Sequence, residues 1–137
     1  MARDGSKIQF RKIWGRGRLE FDWVNAEGRS GGMACLWNPV FSTKTNIIRH
    51  LNFMVITGKL CQYNDILNFV NVYAPQGLEP KKESWKLITN TMGSMEGIWV
   101  LLGDFNAVRS QEERMNTEFI PSCAEAFNTF IEDNGLL

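Results

Sequence analysis

The sequence is poor in the residues that the commonest catalytic constellations need. Its 137 residues include one histidine, His50. A Ser-His-Asp or Cys-His triad would have to use it, and no G-x-S-x-G elbow is present. Flanked by Arg49 and Leu51 in a strand-like stretch, it reads as an exposed strand residue. The three cysteines, Cys35, Cys61 and Cys123, are widely spaced and form no C-x-x-C pair. That excludes the usual zinc and redox motifs and fits reduced, mostly buried thiols in an intracellular protein. No apolar run approaches the roughly 20 residues that span a bilayer. Nothing behind Met1-Ala2-Arg3-Asp4-Gly5-Ser6 resembles the apolar part of a secretory signal. The expectation is a nuclear or cytoplasmic protein that is neither secreted nor membrane-bound. Net charge is absent too, with 15 basic and 15 acidic side chains. This excludes a globally basic nucleic-acid binder but not a local basic patch. There is no P-loop, internal repeat or low-complexity segment.

Core material is plentiful. Hydrophobic residues make up 44% of the chain, with five Trp and nine Phe, enough for one ordinary core and a single domain over 1–137. Charge is unevenly spread. Residues 1–18 carry Arg3, Lys7, Arg11, Lys12, Arg16 and Arg18 against Asp4 alone. This basic segment reads as a helical or frayed start, with a nucleic-acid-facing arm as the alternative.

Local patterns order the rest. Residues 6–14 predict a short helix with Ile8 and Ile13 as apolar contacts, ended by Gly15 and Gly17. Leu19–Val24 alternates apolar and acidic, the pattern of a half-buried strand. Met33–Trp37 is unbroken apolar and predicts a strand covered on both faces. Thr45–Thr57 predicts one long strand or two, with Gly58 and Asn64-Asp65 at turns. Ile66–Tyr73 is a further strand. Pro80 at a first helical position predicts a helix through Met92, burying Trp85, Ile88 and Met92. Ile98–Gly103 predicts a buried strand running into Asp104. Ser122-Cys123-Ala124-Glu125 fits a capping box ahead of a helix burying Phe127, Phe130 and Ile131, with Asn134-Gly135 as its C-terminal cap.

Three segments can carry chemistry. In Leu102-Gly103-Asp104-Phe105-Asn106 a carboxylate and a carboxamide follow a strand, where side chains are held rigidly at the rim of a cleft. Asp104 can orient a water, and Asn106 can hold an anionic oxygen. Taken alone, this spacing favours a strand-ending Asx turn. Tyr73, before Ala74-Pro75, can donate to a phosphate oxygen, or can pack as a rim tyrosine. Gly28-Arg29-Ser30-Gly31-Gly32 reads first as a structural hairpin. Glu112-Glu113-Arg114 reads as a solvated loop.

Taken in order, Ser30-Gly31-Gly32, Val72-Tyr73-Ala74-Pro75 and Leu102-Gly103-Asp104-Phe105-Asn106 resemble the endonuclease/exonuclease/phosphatase superfamily. The wording from Gly28 to Trp37 is most similar to the endonuclease domains of plant LINE-type (non-LTR) retrotransposons. The resemblance implies an α/β (α+β) fold, a four-layer α/β/β/α sandwich present here in part, with N- and C-terminal strands missing. It implies Mg²⁺-dependent cleavage of phosphodiesters with DNA as partner, no organic cofactor and a monomeric chain. Asp104 would orient and help deprotonate the attacking water, Asn106 would hydrogen-bond the scissile phosphate or that water's surroundings, and Tyr73 would donate to the phosphate. Arg29, Ser30 and Arg114 would be accessory contacts to phosphate or nucleic acid. The family's metal-binding Asn and Glu, and its Ser-Asp-His segment, find no match here, so no metal ligand is assigned. The expectation is a truncated, inactive endonuclease-like domain with uncovered sheet edges or apolar faces. The alternatives are a phosphatase-type member acting on a small phosphoester and a non-catalytic module binding nucleic acid or a partner.

Overall fold

The computed structural model describes residues 10–25, 32–115 and 118–137. A helical stretch at 10–14 precedes β1 (Glu20–Val24) and β2 (Met33–Trp37). Then come β3 (Ser42–Arg49), β4 (Phe53–Leu60), β5 (Ile66–Tyr73), α1 (Leu78–Gly93), β6 (Ile98–Asp104), a 3₁₀ turn (Gln111–Glu113) and α2 (Pro121–Asp133). β1 and β2 form an antiparallel two-stranded sheet. The larger sheet has the order β3-β4-β5-β6 and is antiparallel except for the parallel β5–β6 pair. Parallel neighbours need a crossover connection, and α1 supplies it.

The core lies between the large sheet and the two helices. Phe53, Val55, Val70 and Val72 meet Trp85 and Ile88 of α1 and Phe127 and Phe130 of α2. The helices close over the sheet through aromatic contacts, with Trp85 and Phe127 centroids 5.3 Å apart and Trp85 and Phe130 5.9 Å apart. One polar group sits inside. Asn68, fully buried, accepts from Thr57 Oγ1 at 2.8 Å and donates to the Glu96 carbonyl at 3.0 Å. It ties β4, β5 and the turn before β6 together, with both ends of its amide satisfied.

The small sheet lies on the opposite face of the large one. Asn71 of β5 donates to the Ala34 carbonyl of β2 at 3.2 Å. Phe10 of the first helical stretch packs on Phe21 of β1, with centroids 4.9 Å apart. The layers therefore run helix, small sheet, large sheet, helices, which is the expected α/β/β/α order in partial form.

Several sequence expectations change. In β1 the pattern is inverted: the acidic Asp22 is the buried residue, 7% exposed, while Phe21 and Trp23 are half-buried. Asp22 receives a two-pronged hydrogen bond from the Arg49 guanidinium, and Lys44 Nζ lies 3.5 Å away. This charge compensation lets a carboxylate take the inner position. β2 is only half-buried beyond Met33, because the small sheet ends after two strands. Thr45–Thr57 divides into β3 and β4 around His50, which is half-buried at the hairpin and stacks on Phe53 at 4.8 Å rather than standing exposed in a strand. Gly58 is not a turn residue. It lies within β4 beside the bulge at Lys44–Asn46, where an added Cβ would stand 2.5 Å from the Thr43 carbonyl oxygen.

The helices differ at their starts. α1 begins at Leu78, with Pro80 inside its first turn, where proline's missing N–H costs nothing. α2 has no capping box, since Pro121 opens the helix behind Ile120 and moves Ser122 inside it. Its end is as expected: Leu136 N–H bonds to the Ile131 carbonyl, Gly135 N–H bonds to that of Glu132, and Gly135 has a φ of 61°. Ile13 is exposed rather than an apolar contact, and Ile8 lies outside the described residues. Cys123 is buried, Cys35 is half-buried and Cys61 is exposed, so the thiols are not uniformly interior. β6 is an edge strand with one covered face. Trp99 and Leu101 join the core, whereas Ile98 and Leu102 are 54% and 49% exposed. No helix among the described residues is long and apolar enough to cross a membrane.

Two outcomes test this packing. Phe127→Ala should cost about 3–5 kcal/mol, read as a lower urea midpoint, because it empties the aromatic contact between the helices. Burial alone would raise the Asp22 carboxyl, but the Arg49 hydrogen bonds and charge, the Trp23 N–H and Lys44 together hold it below the usual range. A depressed folded value gives stability that is complete above the unfolded value of about 3.9 and fades as pH falls through the folded one. The melting-temperature gap between wild type and Asp22→Asn should therefore be full at neutral pH and close progressively below about pH 4. A gap unchanged at pH 2 would show that Asp22 acts without its charge.

Candidate active site

Parallel strands present their carboxyl ends side by side, and crevices open there in α/β structures. β5 and β6 do this with Tyr73 directly opposite Asp104. Residues paired across a sheet share a face, so the phenol and the carboxylate start from the same side. Alternation along β5 places Tyr73 with Leu67, Phe69 and Asn71, on the side away from the helices.

Two backbone devices shape the junction. Gly103 has a φ of 129°, and an added Cβ would stand 2.1 Å from the Val72 carbonyl oxygen. β6 can approach β5 this closely only with glycine there. Asn106 has a φ of 49°, a left-handed conformation that asparagine tolerates better than most residues. Between them the chain turns back on itself. Asn106 N–H donates to Asp104 Oδ1 at 2.9 Å, the Asx turn expected from spacing alone. Asn106 Nδ2 donates to the Ala74 carbonyl at 2.6 Å, and Ala74 N–H donates to the Asp104 carbonyl at 2.8 Å. The Asx turn and the site reading are thus compatible, since the turn is what fixes Asn106 beside Asp104.

Further contacts hold the two strand ends. Tyr73 N–H donates to the Asn52 carbonyl at 2.8 Å, and Asn52 Nδ2 returns a bond to the Tyr73 carbonyl at 3.3 Å. Gln76 Nε2 donates to Asn106 Oδ1 at 3.0 Å. Gln76 is a residue the motif reading passed over. It lies in the same strand-end segment as Tyr73, and that position was the available signal.

A cleft of about 580 Å³ opens at this end of the sheet, lined by Gln76, Asp104, Asn106, Arg114 and the start of α2. Tyr73, Asp104 and Asn106 come to one end of the sheet, and Arg114 lines the cleft beside two of them. Tyr73 does not line it. Arg29 and Ser30 lie outside the described residues. His50 sits at the β3–β4 hairpin and is not among the cleft residues. Cys35 faces the other side of the sheet. Burial pushes its thiol up, Asp22 adds to the rise, and the Asn71 amide offsets it only in part, so it is no ready thiolate.

The donor set does not fit a divalent metal. Among the described residues no three of His, Cys, Asp and Glu gather in one place. Among the described residues Asp104 is the one carboxylate lining the cleft, whereas a hard cation takes six or more oxygen ligands, usually from more than one acidic side chain with waters.

The architecture matches known proteins at the level of fold. It superposes on the human Nocturnin catalytic domain, solved with a bound sulfate anion, with a TM-score of 0.58 and 15% identity over 89% of this chain. The fold is therefore of the endonuclease/exonuclease/phosphatase type. The chain spans 50% of that solved chain. No family model and no curated protein matches the sequence.

Gly103→Ala tests the close approach. It should destabilise the chain by more than about 1 kcal/mol. Hydrogen exchange should show the lost protection concentrated at the ends of β5 and β6. Protection lost uniformly would separate Gly103 from the junction.

Proposed function

We propose that this chain carries the phosphate-facing part of an endonuclease-like phosphodiesterase site, with DNA as the polymer it contacts. The observation that carries the reading is the in-register pairing of Tyr73 with Asp104, with Asn106 turned back onto Ala74 beside them. In this reading Asp104 holds and orients a water beside the phosphate. Asn106 offers its amide to a non-bridging phosphate oxygen, exchanging its bond to Ala74 for one to the ligand. The Tyr73 phenol donates to a second oxygen from the sheet side. Preorganised donors aimed at developing negative charge stabilise it in phosphoryl transfer. Sulfate is a tetrahedral oxyanion like phosphate, and its presence in the solved neighbour favours an oxyanion site on this fold. The wording from Gly28 to Trp37 supports a retrotransposon endonuclease as the parent type.

Mg²⁺ belongs to the resemblance, and the described residues supply one cleft carboxylate for it. No step is assigned to a metal. The consequence is binding without turnover by these residues.

Two assays test this. Supercoiled plasmid incubated with Mg²⁺ should remain intact. Duplex oligonucleotide binding should fall steeply with salt, and Asn106→Ala should weaken it about 10- to 100-fold, on the scale of one hydrogen bond to a charged group. Nicking abolished by Asp104→Ala would overturn the inactivity and keep the site. Salt-independent binding indifferent to Asn106 would overturn the site.

A further inference from the structure

The first turn of α1 holds a cation that the proposed chemistry does not use. Lys81 is only 6% exposed. Lysine is almost never buried this deeply unless paired. Among the described residues no carboxylate lies within ion-pairing distance of it. Its one recorded side-chain contact is Cys123 Sγ of α2 at 3.6 Å, and sulfur is a weak acceptor. An ammonium removed from water without a counter-charge is costly, and replacing it with an apolar side chain of similar volume is often stabilising.

The missing counter-charge has a place to sit. Lys81 and Cys123 both line the cleft that holds Gln76, Asp104, Asn106 and Arg114. The start of α1 adds to the positive potential there. Its N-cap, Gly77, makes no side-chain capping bond, and Pro80 removes one N–H without replacing the others. The acidic residue of that turn, Glu79, is turned outward to Lys82 at 3.0 Å. The cleft thus has an under-compensated cation among its lining residues, together with Asp104 and Asn106.

We propose that Lys81 anchors a second phosphate, next to the one addressed by Asp104 and Asn106, and so fixes the register of a polynucleotide backbone across the cleft. The ligand is a phosphate oxyanion, and Lys81 is a positioning residue. Its assignment to a polynucleotide rests on the function proposed above, but the anion site itself stands on geometry alone.

The test is thermal unfolding and amide NMR with inorganic phosphate, against chloride at equal ionic strength. Wild-type protein should gain about 4 °C at roughly tenfold excess over the dissociation constant. The phosphate-induced resonance shifts should centre on Lys81 and Cys123. Lys81→Met should melt at or above the wild-type temperature without phosphate and gain nothing from it, whereas Asp104→Asn should keep the gain. Loss of DNA binding with the phosphate response intact would remove the polynucleotide reading and leave the anion site. A phosphate response unchanged in Lys81→Met would overturn the proposal, as would the absence of wild-type shifts near Lys81.

Discussion

The parallel pairing of β5 with β6 is the constraint on which the rest of the structure depends. A hairpin cannot make it, so the chain must leave the sheet, cross over as α1 and return. That crossover covers one face of the sheet and brings Trp85 and Ile88 onto Val70 and Val72. It also delivers two strand ends to the same rim. Gly103 lets the second strand approach within a distance that no side chain would allow, and Asn68 pins the turn that starts it. The site is a by-product of this geometry, because Tyr73 and Asp104 meet only if the register holds over the length of both strands.

Electrostatics is used in two opposite ways. Asp22 is buried with its charge answered twice, by Arg49 and Lys44, and it links the first strand of the small sheet to β3 of the large one. Among the described residues Lys81 is buried with its charge met by a thiol and no carboxylate. The first arrangement is complete without a ligand and serves the joining of layers. The second is incomplete and faces a cleft. Burial is common to the two charges, and the counter-charge is what differs between them.

Much of the architecture was legible from local pattern. Ile66–Tyr73 reads as a strand because β-branched and aromatic residues dominate it, and Asn134-Gly135 reads as a helix end because only a few residues suit that turn. The strand-end motifs also stood out, since Gly103, Asp104 and Asn106 act through their immediate neighbours. What was not legible depends on distant partners. Asp22 was expected outside because Arg49, 27 residues further on, is invisible to a two-residue period. Nothing local marks Lys81, whose partner Cys123 on α2 lies 42 residues away in sequence. The capping box failed for a local reason, as Pro121 competes for the same helix start one residue earlier. Gln76 was within reach of the motif reading, but its value comes from Asn106, which the fold places opposite it.

The outer face of β6 has a consequence of another kind. Ile98, Val100 and Leu102 form an apolar row along a strand whose second edge carries no partner strand among the described residues. Such a row is sticky in the plainest sense, with unspent backbone donors and acceptors on one side and greasy side chains on the face beside them. In concentrated solution an uncovered row of this kind favours association between strands. The Tyr73–Asp104 rim sits at the end of that row, so whatever covers β6 lies beside the rim as well.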